Sequence, residues 1–434
     1  MPTRVPFSMA SDCNMQHWNE LFTFRYDAVT LPPSCMYGYS ASADRRGGVT
    51  SLVERQYTNG NLDRGWMQLL RKLFPAPGED AKPVALSSFR SDSSNLDMVR
   101  AVAVLSVFFA HLHDITVGHQ LLLGWHFAQM GVLIFFVHTS MVLMLSLERT
   151  KLEGKALFGA FYVRRFFRLY PLSMFCVTVA MVLSRAPDLA HPVRHWKWTE
   201  YLFNLTLTTN LTYTDIMVGG LWTLPIEVQM YLTLPFLFLF GRVVPRGVLF
   251  LLWAAAIPVA LVQLHTTDRL NVLAYAPCFI SGVIAWKLSL TVPRRLPGWL
   301  WPAGFVATWP FFFLATHEND MYYRWAFCFA LGLTIPWFQE IPFRPVKAVA
   351  HVVAKYSYGI YLSHIAVMMW SFTLPASTPV RWALFVVLAV ISPVAMYHLI
   401  EHPLIVVGQK VAGRMFPTPA ARQRSLKKEP AIAG

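Results

Sequence analysis

Polar and apolar positions divide the chain near residue 96. Residues 1–90 are polar and carry turn-forming clusters such as Leu31-Pro32-Pro33-Ser34 and Arg45-Arg46-Gly47-Gly48. This pattern predicts a poorly ordered extension, with one amphipathic stretch, Gly65 to Phe74, as an interfacial helix. The extension lacks the apolar run of a secretory leader, so none is expected. From Leu96 onward, long apolar runs alternate with short loops. A spanning helix needs about 20 mostly apolar residues. Ten runs qualify: 97–116, 125–147, 166–184, 218–240, 247–264, 271–288, 298–316, 322–338, 356–374 and 380–400. The stretch 199–212 is apolar but short, which predicts a re-entrant or interfacial piece. The expected fold class is all-α: a polytopic integral membrane bundle of about ten transmembrane helices over 91–405, followed by a basic tail over 406–434.

Composition agrees. Only 14% of the 434 residues are charged, 55% are hydrophobic, and the mean hydropathy is +0.42. Soluble domains carry about 25% charged residues, so a soluble enzyme, a disordered chain and a coiled coil are all disfavoured. The net charge of +14 would suggest nucleic acid, but its distribution explains it otherwise. With the N-terminus inside, the inner loops hold fourteen cations: six over 149–168, two at Arg242 and Arg246, three over 287–295, and three over 344–355. The outer loops hold four: Arg185, Arg194, Lys197 and Arg269. Positive loops stay in the cytoplasm, so both termini are expected there, and no nucleic-acid partner is needed. The five cysteines are scattered, with none at a metal-ligand spacing.

Ionisable residues inside spans are costly and mark function by default. The first span carries Asp97, Arg100, His111 and Asp114. Eleven helical steps from Arg100 to His111 end about 20° past three turns, with a rise of about 16 Å. One stripe therefore carries an expected Asp97–Arg100 ion pair near the inner surface and a His111–Asp114 pair well above it. Alternatively, Arg100 snorkels and His111 is a hydrogen-bonded core residue. In the fourth span Glu227 has no cation in its own helix, and a buried carboxylate needs a partner or a proton. Depth counting from the span ends puts it level with His111, where the two could meet.

Arg164, Arg165 and Arg168 open the third span on one face. At the cytoplasmic rim their planar forks suit phosphate; an ordinary positive flank is the other reading. In the ninth span Ser357, Tyr361 and His364 share a stripe, which serves either a site or interhelical hydrogen bonding.

Six segments resemble the membrane-bound acyltransferase 3 family, in the family's order over about 96–403. They are Leu96-Asp97-Met98-Val99-Arg100 followed by His111, Phe135-Phe136-Val137-His138-Thr139-Ser140, Arg165-Phe-Phe-Arg168-Leu-Tyr-Pro171, Trp222-Thr-Leu-Pro-Ile-Glu227, Tyr358-Gly-Ile-Tyr361-Leu-Ser-His364 and Glu401-His402-Pro403. The resemblance implies an O-acyltransferase that moves an acyl group, acetyl being usual, from cytoplasmic acyl-CoA. Its acceptors would be hydroxyls of polysaccharides, lipid-linked glycans or other glycosylated products. It departs from the family pattern where Thr139-Ser140 replaces Ser-Gly, which questions the close backbone approach there, and where Val228 replaces a second glutamate. No esterase-like domain is expected after the last span, so a two-stage relay within this chain is not expected.

Together these features assign His111 as general base, oriented by Asp114 or Glu227. Arg165 and Arg168, with Arg100, would hold acyl-CoA. Trp222, Tyr361 and His364 are secondary candidates. No permanently bound cofactor and no metal is expected: acyl-CoA, with acetyl-CoA the expected form, is the donor substrate, and the remaining partners are the glycan acceptor and the lipid bilayer. The expected location is a bacterial cytoplasmic (inner) membrane. The competing class is a glycan or lipid transporter with the stripe as a proton relay; a third is a structural membrane subunit.

Overall fold

A computed structural model describes residues 93–117, 122–150, 152–185, 195–267, 269–294, 296–313 and 321–418. The expectations for 1–90, including the Gly65–Phe74 helix, and for the tail from 419 lie outside the described residues.

The described residues form helices and contain no strand. In chain order these are α1 (Ser94–Val117), α2 (Leu122–Arg149), α3 (Gly154–Leu183), α4 (Trp198–Leu205), α5 (Thr209–Thr212), a 3-10 turn (Gly219–Trp222), α6 (Thr223–Val243), α7 (Arg246–Thr266) and α8 (Val272–Thr291). Then follow α9 (Trp301–Val306), α10 (Pro310–Phe313), α11 (Met321–Thr334), α12 (Arg344–Thr373), α13 (Thr378–Met396), a π turn (Tyr397–Glu401) and α14 (His402–Met415). The boundaries follow local chemistry. Val244 precedes Pro245 and is extended, which stops α6. Proline stands in the first two positions of α9, α12, α13 and α14, where its missing N–H costs nothing. Gly154 takes φ +52°, which a side chain would oppose, at the reversal between α2 and α3.

Among the described residues, seven stretches are long and apolar enough to cross a membrane: α1, α2 from His126, α3, Gly219–Val243, α7, α8 and Thr378–Met415. The other three expected spans differ. Gly298, Pro302, Gly304 and Pro310 break the described part of the 298–316 run, up to 313, into α9 and α10. The run 322–338 forms only the 14-residue α11 and a 3-10 turn. The run 356–374 belongs to α12, whose 30 residues give ample length, but its serines, tyrosines and His364 lower its apolar content. Helix also extends past 406, to Met415.

The bundle centres on α2 and α8, whose apolar stretches are mostly buried; the apolar part of Thr378–Met415 is mostly exposed and faces outward. α1 packs between α2 and α12, and α3 packs against α14. The α2–α8 crossing is close because of a glycine. A Cβ on Gly282 would collide with Ser140 Oγ and the Val137 carbonyl, the small-residue contact typical of membrane helices. The close approach questioned at Ser140 is therefore supplied by the facing helix.

α1 is fixed at its start. Ser93 Oγ and Ser94 Oγ each donate to Glu340 at 2.6 Å, the Asn95 N–H donates at 3.3 Å, and Arg294 pairs with it at 3.0 Å. Burial pushes the Glu340 carboxyl up, but these donors outweigh it and hold the group below its ordinary range.

Candidate active site

Arg100 of α1, Arg165 and Arg168 of α3, and Glu227 of α6 line one cavity. His138 and Thr139 of α2, Thr223 and Tyr231 of α6, and Ser357, Tyr358 and Tyr361 of α12 make up the rest of its polar wall. The cavity is partly open to solvent.

The arginines reach it for a reason the apolar count concealed. The third span was expected to start at 166, with the arginines at a solvated rim. α3 starts at Gly154 instead, so Arg168 lies fourteen residues, or about 21 Å, into the helix. Its guanidinium pairs with Glu401, whose side chain is fully buried, and lies 5.8 Å over the Tyr358 ring. Arg100 does not form the expected ion pair with Asp97. Asp97 Oδ2 meets His351 Nδ1 at 2.9 Å, and Arg100 Nε is buried without a hydrogen-bond partner among the described residues.

Glu227 does not meet His111. It accepts a short hydrogen bond from Tyr231, one turn on in α6. The depth count took 218 as the outer end of the span, but a Cβ on Gly220 would meet the Tyr361 carbonyl, within the bundle. Seven residues further, Glu227 is carried about 10 Å toward the arginines.

A second group lies beyond Tyr361. The His111 and His364 rings are 5.2 Å apart between centroids. His364 is 3% exposed, its Nδ1 lies 2.8 Å from the Tyr361 carbonyl, and its Nε2 has no partner among the described residues. A carbonyl only accepts, so Nδ1 carries the proton and Nε2 is left with a free lone pair. Tyr361 links the two regions: its hydroxyl shares a 2.9 Å hydrogen bond with Thr223, and its ring lies 5.9 Å from that of His364. Asp114 lies 3.8 Å from His113 Nδ1 rather than pairing with His111 as expected. Trp222 ends the 3-10 turn, with its ring 6.4 Å from Tyr275, and is not part of the cavity wall.

His138, Tyr231, Tyr358 and Glu401 were absent from the sequence-based site. His138 carries the same signal as His111, an ionisable group inside an apolar run. Tyr231 is signalled by its i+4 spacing from Glu227. Glu401 and Tyr358 stand in segments that carry the family resemblance, but their meeting with Arg168 is visible only where α3, α12 and the π turn come together.

The arrangement offers anion-binding cations at one end and imidazole lone pairs at the other, about 16 Å apart along α1. The family model Acyl_transf_3, described as an acyltransferase domain, matches residues 93–398. No curated protein and no solved structure matches the chain.

Proposed function

The chain belongs to the Acyl_transf_3 family and is a membrane acyltransferase, and from that premise we propose that it transfers an acyl group, acetyl first, from cytoplasmic acyl-CoA to a hydroxyl of a carbohydrate or glycosylated acceptor. The observation that carries the donor assignment is the arginine cavity. Three guanidinium groups face one carboxylate there, Glu227, with Glu401 behind Arg168. Clustered, half-buried like charges call for an anionic occupant, and planar forks suit the phosphates of CoA.

With the phosphates at Arg100, Arg165 and Arg168, the pantetheine arm runs along Tyr361 toward His111. His111 takes the proton of the acceptor hydroxyl as its oxygen attacks the thioester carbonyl. The tetrahedral intermediate then expels CoA as thiolate, which receives that proton. His364, with its tautomer fixed by the Tyr361 carbonyl, completes the histidine pair. On this reading both termini face the cytoplasm, the donor enters from that side, and the acceptor enters from the other; the membrane is the bacterial inner membrane.

Incubating the purified chain with labelled acetyl-CoA and a crude surface-glycan acceptor tests the proposal. Label in the glycan is the expected result. A transporter or a structural subunit would leave acetyl-CoA unconsumed.

A further inference from the structure

Glu401 has no part in the reaction just described, yet its side chain is fully buried and its carboxylate pairs with Arg168. Buried ion pairs cost both charges their hydration and add little net stability, so stability alone is a weak account of it. Its location follows from the sequence. Pro403 lacks an N–H, and its ring opposes the carbonyl of Leu399, four residues back. The helix widens at that point into the π turn Tyr397–Glu401. α14 then packs on α3, with Gly408 against Phe167 and Gly159 against Phe416. The carboxylate is thereby carried to the buried part of α3.

Arg168 is held from a second side. Its guanidinium lies over the Tyr358 ring, and the Tyr358 hydroxyl is anchored to the Leu169 carbonyl at 2.6 Å. A guanidinium presents five N–H donors in a rigid plane. Glu401 meets it at Nη1, and Arg168 is also one of the residues that line the cavity.

We propose that Glu401 is a positioning residue for the donor: it holds one edge of the Arg168 guanidinium so that the other edge is presented to the phosphates of acyl-CoA. This rests on the reading of the arginine cavity as the donor site.

Donor KM and kcat, measured on the full chain with labelled acetyl-CoA, test it beside the thermal unfolding midpoint. Glu401→Asp keeps the charge but withdraws the carboxylate by one carbon–carbon bond, about 1.5 Å. Glu401→Gln keeps the length and an acceptor oxygen but removes the charge. Positioning predicts a KM about tenfold higher in the Asp variant and no more than about threefold higher in the Gln variant, with kcat near wild type in both. The reverse pattern, with KM raised by Gln and unchanged by Asp, would make charge the operative property and overturn the proposal. So would an unchanged KM in both variants with lowered midpoints, which would reduce the pair to a strut. Arg165→Ala in the same assay separates the two levels. If it raises KM while both Glu401 variants leave KM alone, only the role of Glu401 fails. If it too leaves KM unchanged, the donor site itself is wrong.

Discussion

Gly282→Ala should loosen the α2–α8 crossing that carries one wall of the cavity. The added methyl collides with two atoms, Ser140 Oγ and the Val137 carbonyl oxygen, and crowds a third, the Met141 nitrogen at 3.1 Å. Neither yields easily. Ser140 is fully buried, and its hydroxyl already bonds the Phe136 and Val137 carbonyls at 2.9 and 3.1 Å. The Val137 oxygen belongs to helix backbone and moves only with α2. Overpacking of this kind costs about 1–3 kcal/mol, and contact with backbone favours the upper half of that range. Alanine's better helix propensity returns up to about 1 kcal/mol. The net expectation is a loss of about 1–2 kcal/mol, a change of about 5–30-fold in the folded-to-unfolded ratio. Thermal unfolding in detergent reads it as a lower midpoint, and the rate of irreversible inactivation should rise. Ser140→Gly in the Gly282→Ala background removes one of the two obstacles and should recover part of the loss, a positive coupling between contacting sites. A Gly282→Ala protein as stable as wild type would refute the close approach, and with it the explanation for serine at position 140.

Reporter fusions after Ser184 and after Phe240 should read outside and inside respectively; the opposite result at both would reverse the orientation and the donor side with it. Arg165→Ala should weaken acyl-CoA binding more than it lowers the unfolding midpoint, and Arg165→Lys should restore only part of the affinity, since lysine keeps the charge but not the fork; unchanged affinity in the alanine variant would leave Arg165 as an ordinary positive flank. The depressed Glu340 carboxyl contributes stability that is present above the unfolded carboxylate value and is lost as pH falls through the lower folded one. The stability gap between wild type and Glu340→Gln should therefore hold from pH 7 down to the ordinary glutamate value of 4.5 and close below it; a gap that is absent at neutral pH would contradict the capping role.

Much of the bundle was legible as apolar runs of spanning length, because lipid forces each span to satisfy its own backbone. The misreadings have specific causes. The apolar run starts at 166, but Gly154 to Arg165 is helical too, so Arg165 and Arg168 stand well inside a helix, half-buried along a cavity, rather than at its first turn. The first residues of the 218–240 run form a 3-10 turn against Tyr361 rather than the outer end of a helix, which separates Glu227 from His111. The helical stripe in α1 was legible in its geometry and misleading in its pairing: Asp97 meets His351 from α12, a contact that no periodicity within α1 contains. Serine at 140 could not be interpreted without Gly282 opposite. The Arg168–Glu401 pair depends on a π turn, whose cause, Pro403, is visible in the sequence but whose direction is set by packing on α3.

The central claim is that acyl transfer depends on His111 as base, about 16 Å along α1 from the arginine end that binds the donor. His111→Ala tests it through transfer rate per folded molecule at saturating acetyl-CoA, with donor affinity measured on the same preparation. Loss of a general base removes about 10²–10⁴-fold in rate while leaving the distant donor site intact, so the account predicts a rate lower by at least two orders of magnitude with acetyl-CoA affinity near wild type. A rate per folded molecule within about threefold of wild type, below any general-base contribution, would remove His111 from the chemistry and transfer the role of base to His364.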